Sequence, residues 1–288
     1  MILDFHTHIG QGQRSAAHVI THHNAYGGGR SVLLPIEPGD CTAMGAYAGM
    51  RTELAIEAVD EYGDELIPFC HVNPLAPDAL DQLRRYHATG KFYGFGEHKV
   101  RLACDHPDSL DIYRLCGELG WPVLIHFEYR NYSYNFEAFE TVLKSCPETT
   151  FIGHAQAWWA NVSAEVPRDY RASDYTAYPK DPVVLGGLTD RWLEQYPNIY
   201  GDLSAGSGLG AISRDPAFGK DFVRRHRTKL LWATDCPCRD GQGNWGEGRT
   251  RECFASQTLP LLQDYCESED HYADITYRNG LRLLGLDD

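Results

Sequence analysis

A chain of 288 residues with 43% hydrophobic content has the material for one large core, and that length suits a single α/β barrel domain spanning 1–288. With 26 basic against 40 acidic residues, a formal charge of -14, the surface is poorly matched to nucleic acid or to an anionic membrane, so a small molecule is the expected partner. Nine cysteines at mostly unrelated spacings fit a disulfide framework badly and point to reduced thiols in a cytoplasmic setting. The opening Met1-Ile2-Leu3-Asp4 reads as the start of a strand and not as a signal peptide. No stretch approaches the ~20 apolar residues that span a bilayer, and a homo-oligomer is compatible with this composition.

Short apolar runs alternate with helical stretches, the pattern of βαβ units around a parallel sheet. In chain order the runs are 2–5, 31–34, 66–69, 92–95, 123–125, 150–152, 199–203 and 230–233, the eight that a closed (β/α)8 barrel needs. Gly27-Gly28-Gly29 lacks the lysine and hydroxyl residue of a phosphate loop and reads as a turn. His18, His22 and His23 read as a polar loop after the first strand. Between Pro107 and Gly120, residues Ile112, Leu115, Cys116 and Leu119 share one helical face. Asp181-Pro182 and Asp215-Pro216 each offer an N-cap followed by proline at the first helical position. The segment from Asp274 to Leu286 reads as a closing helix packed through Leu281, Leu283 and Leu284. Two connections are long: 155–180 after the sixth run, rich in Trp and Tyr, and 236–251 after the eighth, rich in glycine. Both follow strands and both read as walls of a binding site.

Barrels of this kind carry their chemistry at the C-terminal ends of the strands. The polar residues there are His6 and His8 after the first run, His71 after the third, Glu97 after the fourth, His126 after the fifth, His154 after the sixth and Asp235 after the eighth. His6 and His8 lie two apart on an extended chain, so both imidazoles face one side and can share a cation. Each signal alone has an ordinary explanation: a turn for the His-x-His pair, a hydrogen-bonded core histidine for His126 or His154, a helix cap for Asp235. Their joint occurrence at the strand ends of one barrel points to a metal site. Trp158, Trp159, Arg168, Arg171, Arg239 and His71 are the candidates to contact substrate. Cys236-Pro237-Cys238 is half of a thiolate metal site, but no second pair at suitable spacing accompanies it, and simple thiols are expected.

Asp4-Phe5-His6-Thr7-His8, Val123-Leu124-Ile125-His126, Ile152-Gly153-His154-Ala155, Ala233-Thr234-Asp235-Cys236-Pro237 and the closing 275–286 occur in the order found in the amidohydrolase superfamily. Across nearly its whole length the chain resembles the amidohydrolase-related branch, which includes aminocarboxymuconate-semialdehyde decarboxylase. The resemblance implies that His6, His8, His126 and Asp235 bind a divalent metal, usually zinc, with a water completing its shell. It also implies that Asp235 acts as general base and that His154 is a second ligand or stabilises an oxyanion. Glu97 stands where many members carry a bridging carboxylated lysine, with Lys99 two residues on. It either bridges two metals or orients His6 and His8, so one or two ions are expected. The leading expectation is hydrolysis of a C–N or C–O bond beside a carbonyl, as in a cyclic amide, amide or lactone. Non-oxidative decarboxylation with the same residues is the alternative, and a metal-free ligand-binding barrel the third reading.

Overall fold

In a computed structural model that describes residues 1–10, 14–39, 50–166 and 178–286, the apolar runs become eight strands. They are β1 (Ile2–Thr7), β2 (Gly29–Leu33), β3 (Leu66–Pro68), β4 (Phe95–His98), β5 (Val123–His126), β6 (Phe151–His154), β7 (Ile199–Asp202) and β8 (Leu230–Leu231). Parallel pairing runs β1-β2-β3 and β4-β5-β6-β7-β8. Backbone hydrogen bonds join these two sheets at both seams. Gly96 N–H donates to Cys70 O (2.9 Å) at one, and Phe5 N–H to Trp232 O (3.2 Å) and Asp235 N–H to His6 O (2.9 Å) at the other. The result is a closed (β/α)8 barrel, as the strand count requires.

Alternation along the strands sorts the core into two layers. Leu3, Phe5, Val32, Ile67, Leu124 and Leu231 meet inside the barrel. Ile2, Val123, Ile125, Phe151, Ile199 and Leu230 face outward into a larger cluster shared with the helices. Those helices include α1 (Ala16–Asn24), α2 (Thr52–Tyr62), α3 (Ala79–Ala88), α4 (Pro107–Glu118), α5 (Phe139–Ser145) and α6 (Ala155–Ala160). The later ones are α7 (Leu188–Gln195), α8 (Ala205–Ser213), α9 (Pro216–Arg225), α10 (Phe254–Tyr265), α11 (Glu269–Ala273) and α12 (Asn279–Leu284). In α4 the predicted face is the buried one: Ile112, Leu115 and Cys116. Gly29 opens β2 so close to β1 that a Cβ there would lie 1.8 Å from Ile2 O, which explains glycine at the end of the Gly27-Gly29 turn. No helix among the described residues is long and apolar enough to cross a membrane.

Four expectations change. The fourth strand starts at Phe95, where the apolar run 92–95 ends, so Glu97 lies within it. His18, His22 and His23 lie on α1, whose capping residue is Ser15, and His22 and His23 are buried. Asp215 caps α9 by accepting from Phe218 N–H, but no helix starts at Asp181-Pro182. There Val183 and Val184 bond to Asp215 and Ser163 in an extended segment, and α7 begins only after Gly187. The closing helix begins early, with Ser268 capping α11, and reaches α12 through a wider turn at Asp274–Arg278. Its Leu281 and Leu284 close the inner core beneath β1, while Leu283 packs at the edge.

Candidate metal centre

Two irregularities in the barrel aim the site's side chains inward. From Asp4 to Thr7 in β1 the chain advances three residues while β2 advances two, Ser31 to Leu33. From Phe95 to His98 in β4 the same excess stands against Val123 to Ile125 in β5. Each extra residue is a bulge that shifts the in–out alternation by one. Leu3 and Phe5 face the inner core, and past the bulge His6 and His8 face inward too. Past the second bulge Glu97 faces inward and His98 outward, where it packs against Phe95 and Tyr113. Regular alternation delivers His126 after Leu124 in β5, His154 after Ile152 in β6 and Asp202 after Tyr200 in β7. Ala155 (φ 78°), Ala205 (φ 57°) and Asp235 (φ 46°) turn the chain sharply at the ends of β6, β7 and β8.

The side chains converge at the mouth. His6 Nε2 lies 3.0 Å from His8 Nε2, and His8 Nε2 lies 3.2 Å from Glu97 Oε2 and 3.6 Å from Asp235 Oδ1. His154 Nε2 stands 3.7 Å from Glu97 Oε1 and 3.8 Å from Asp235 Oδ2. Two overlapping sets could each hold an ion: His6, Glu97 and His154, and His6, His8 and Asp235, with His6 common to both.

The far side of each ring fixes its orientation. His8 Nδ1 lies 2.8 Å from Leu34 O, a carbonyl that can only accept, so Nδ1 carries the proton and Nε2 offers a lone pair. His6 Nδ1 lies 2.6 Å from Asp202 Oδ2 and likewise presents Nε2 inward. The two Nε2 atoms face each other at 3.0 Å between carboxylates, an arrangement that needs a positive charge between them, supplied by a proton on His6 or by a shared cation. The residues therefore fit a divalent metal. His154 Nδ1 contacts Ser204 Oγ (2.9 Å) and Asp202 Oδ2 (3.3 Å).

The charges are mutually held. Burial works against ionised Glu97, but Lys99 and His126 overcome it and keep the carboxyl well below its ordinary range. Burial is likewise outweighed at Asp202 by His6 and His154. Burial opposes protonation of His6, yet Asp202 and Asp235 raise it well above the ordinary histidine value.

His126 takes a different place from its fellows. Its Nδ1 lies 2.6 Å from Glu97 Oε1 and its Nε2 3.3 Å from Glu128 Oε2, so in this arrangement it holds Glu97 and belongs to neither ion-sized set. Asp202, Ser204 and Glu128 were not singled out by the sequence reading. The signal for Asp202 was its place at the end of β7, where Gly201 pairs with Gly153 and puts the aspartate beside His154.

The tryptophans pack on the outward faces of β6 and β7. Trp158 and Trp159 are fully buried behind the sheet, occupying the spaces left by Gly153 and Gly201, which lack side chains on the outward faces of β6 and β7. Trp158 packs on Phe127 and Trp192, and Trp159 Nε1 donates to Asp202 O (2.8 Å), so it secures β7. His71 is also buried, stacked on Phe95, with Nδ1 accepting from Glu37 N–H (3.0 Å), and burial pushes its pKa down to about 3. It lies in the wall behind β4. Arg239 packs over Gly246 within the loop after β8. Arg168 and Arg171 lie outside the described residues.

The sequence model of the amidohydrolase family matches residues 37–180, half of the chain. The chain belongs to the amidohydrolase family. A search of curated proteins returned no match. Among solved structures, a protein from Acinetobacter baumannii described as a probable 2-pyrone-4,6-dicarboxylic acid hydrolase aligns with TM-score 0.63 at 14% identity, covering 99% of each chain. An uncharacterized TIM-barrel protein from Bordetella bronchiseptica aligns with TM-score 0.64 at 15% identity, covering 99% of this chain and 98% of that one. A 2,6-dihydroxybenzoate decarboxylase from Rhizobium aligns with TM-score 0.55 at 13% identity, covering 100% of this chain and 98% of that one. At such identities the likeness concerns the fold. It agrees with the amidohydrolase barrel described above.

Proposed function

We propose that this amidohydrolase is a metal-dependent hydrolase that cleaves a C–N or C–O bond beside a carbonyl, in a cyclic amide, amide or lactone. The supporting observation is the accessibility of Asp235. Its side chain is 20% exposed while those of His6 and Glu97 are 0% and 2%, so this carboxylate is the one that meets an entering substrate and water. A divalent cation held by His6, His8 and Asp235, zinc in this reading, would supply Lewis acidity toward the substrate carbonyl.

Asp235 takes the proton of the attacking water and returns it to the leaving nitrogen or oxygen. In one tautomer the Ser204 hydroxyl donates to His154 Nδ1 and Nε2–H can donate to the developing oxyanion, with Nδ1 then turned unprotonated to Asp202 Oδ2 at 3.3 Å. The reverse tautomer makes Nε2 a ligand. Glu97, held by His126, keeps the inner side of the site anionic.

The test is a substrate panel with the metal-loaded protein. Turnover of lactones, amides or esters is the expected result. Release of carbon dioxide from aromatic or muconate-like acids, with none of those substrates cleaved, assigns decarboxylation instead. Asp235→Asn should lower kcat by about 10²–10⁴-fold with an unchanged far-ultraviolet circular dichroism spectrum. Retained turnover would remove the assigned role.

A further inference from the structure

Next to the catalytic mouth lies a second group of metal-ligating side chains that the proposed chemistry does not use. His22 on α1, Cys236 and Cys238 just after β8, and Cys253 at the N-cap of α10 bring one nitrogen and three sulfurs within 4.8 Å of one another. All four are buried, at 1%, 2%, 0% and 2% exposure. His22 Nε2 is 3.1 Å from Cys253 Sγ, and Cys253 Sγ is 4.0 Å from Cys236 Sγ. A tetrahedral zinc with Zn–S about 2.3 Å and Zn–N about 2.0 Å has S···S edges of about 3.8 Å and N···S edges of about 3.6 Å. The observed spacings lie within about half an ångström of these, and a disulfide, at about 2.05 Å, does not.

Several neighbours suit an anionic centre, while Cys238 Sγ also donates to Asp240 Oδ1 (3.4 Å), a contact that metal binding would replace. Gly243 N–H donates to Cys238 Sγ (3.2 Å), a contact that a thiolate accepts better than a thiol. Gly243 sits at φ 102°, where a Cβ would lie 2.6 Å from Arg251 O, so the loop folds back over the sulfur only with glycine there. Arg14 is 3% exposed and donates through Nη1 to Cys236 O, while its Nε and Nη2 have no partner among the described residues. The groups acting on its charge are Asp4 and the three sulfurs, and the Asp4 oxygens already accept from Thr234. A divalent ion with three thiolates and a neutral imidazole carries one net negative charge, which one guanidinium balances. With three neutral thiols, Asp4 would be the remaining counter-charge to this cation, whose Nε and Nη2 have no partner among the described residues.

We propose that His22, Cys236, Cys238 and Cys253 form a structural zinc site, closed to substrate, that fastens the glycine-rich loop after β8 to α1 and α10. The residue spacing hid this site. Only the Cys-x-Cys pair is local, and the third sulfur and the imidazole come from elements 15 and more than 200 positions away in the chain. The assignment of this site does not rest on the reaction assigned to the barrel mouth. Because Asp235 directly precedes Cys236, it also fixes the backbone of the accessible carboxylate.

X-ray absorption at the zinc edge of the unmodified, zinc-replete protein should show sulfur neighbours at about 2.3 Å. Cobalt replacement should produce a thiolate-to-metal charge-transfer band, unaltered in His8→Ala, which touches only the mouth. Cys253→Ser and His22→Ala should each lose about one equivalent of zinc that His8→Ala retains. An absorption spectrum with only nitrogen and oxygen neighbours overturns the proposal. So does a native mass two hydrogens light from a disulfide within the cluster, or an unchanged zinc content in folded Cys253→Ser.

Discussion

The residue with the most leverage at the mouth is Asp202, which is fully buried. Its Oδ2 lies 2.6 Å from His6 Nδ1 and 3.3 Å from His154 Nδ1, so one carboxylate orients two of the three imidazoles in the ion-sized sets. Its other oxygen accepts from Ser204 N–H (2.9 Å), which fixes the carboxylate against the turn after β7. Carboxylates that hold the distal nitrogen of a metal-binding histidine raise its basicity and fix its tautomer. Asp202→Asn keeps the volume and loses the charge. It should weaken metal affinity about 10–100-fold, measured by competition with a chromogenic chelator, while Ser204→Ala changes it much less. Equal affinities for wild type and Asp202→Asn would show that the pair has no electrostatic part in holding the ion.

Elements deliver these residues, and the bulges in β1 and β4 show which part of that delivery the sequence could announce. The apolar runs carried seven of the eight strands and the histidine-tipped ends of β1, β5 and β6, because period-two alternation and strand-end position are local properties. A bulge is not local: it is defined by the neighbouring strand, so β4 was displaced toward Phe95 and Glu97 could not be assigned a face. Trp158 and Trp159 misled for a related reason, since an aromatic pair after a strand looks like a pocket wall until the outward Gly153 and Gly201 are seen to receive it. Behind the sheet, α7 and α9 are joined by Asp190, which accepts from Arg225 Nη1 (2.7 Å) and lies 2.6 Å from His226 Nε2. Burial alone would raise its pKa, but His226 and Arg225 hold it below the ordinary value. Ionised Asp190 therefore stabilises the fold above the unfolded-state pKa of about 3.9, and this contribution fades as pH falls through the lower folded value. Asp190→Asn should cost about 3 kcal/mol at pH 7 by urea unfolding, with the gap to wild type closing only below about pH 4. A gap that stayed constant across this range would mean that packing, and not charge, makes the contact.

At the scale of the whole molecule the barrel separates its duties along its axis. Conserving chemistry at the C-terminal mouth leaves the opposite end free to serve stability alone. There α12 inserts Leu281 and Leu284 beneath β1, and Gly280 allows the helix to approach until a Cβ would come 2.5 Å from Leu3 and 3.0 Å from Phe5. This inner core is one cluster drawn from β1, β2, β3, β5, β6 and β8, so a defect at Leu281 is felt around the ring. Leu281 is 2% exposed, and Leu281→Ala removes buried methyl groups while leaving a cavity the rigid strands cannot fill. The expected loss is about 3 kcal/mol, or roughly 6 °C in Tm for a domain of this size. Metal affinity and kcat at 25 °C should stay within about twofold, because Leu281 packs in the inner core cluster, which contains none of the mouth's side chains. Asp235→Asn should show the reverse pattern, full stability and lost turnover. If Leu281→Ala lowered kcat as much as it lowered stability, the barrel would be transmitting strain along its axis, and the two ends could no longer be treated as independent.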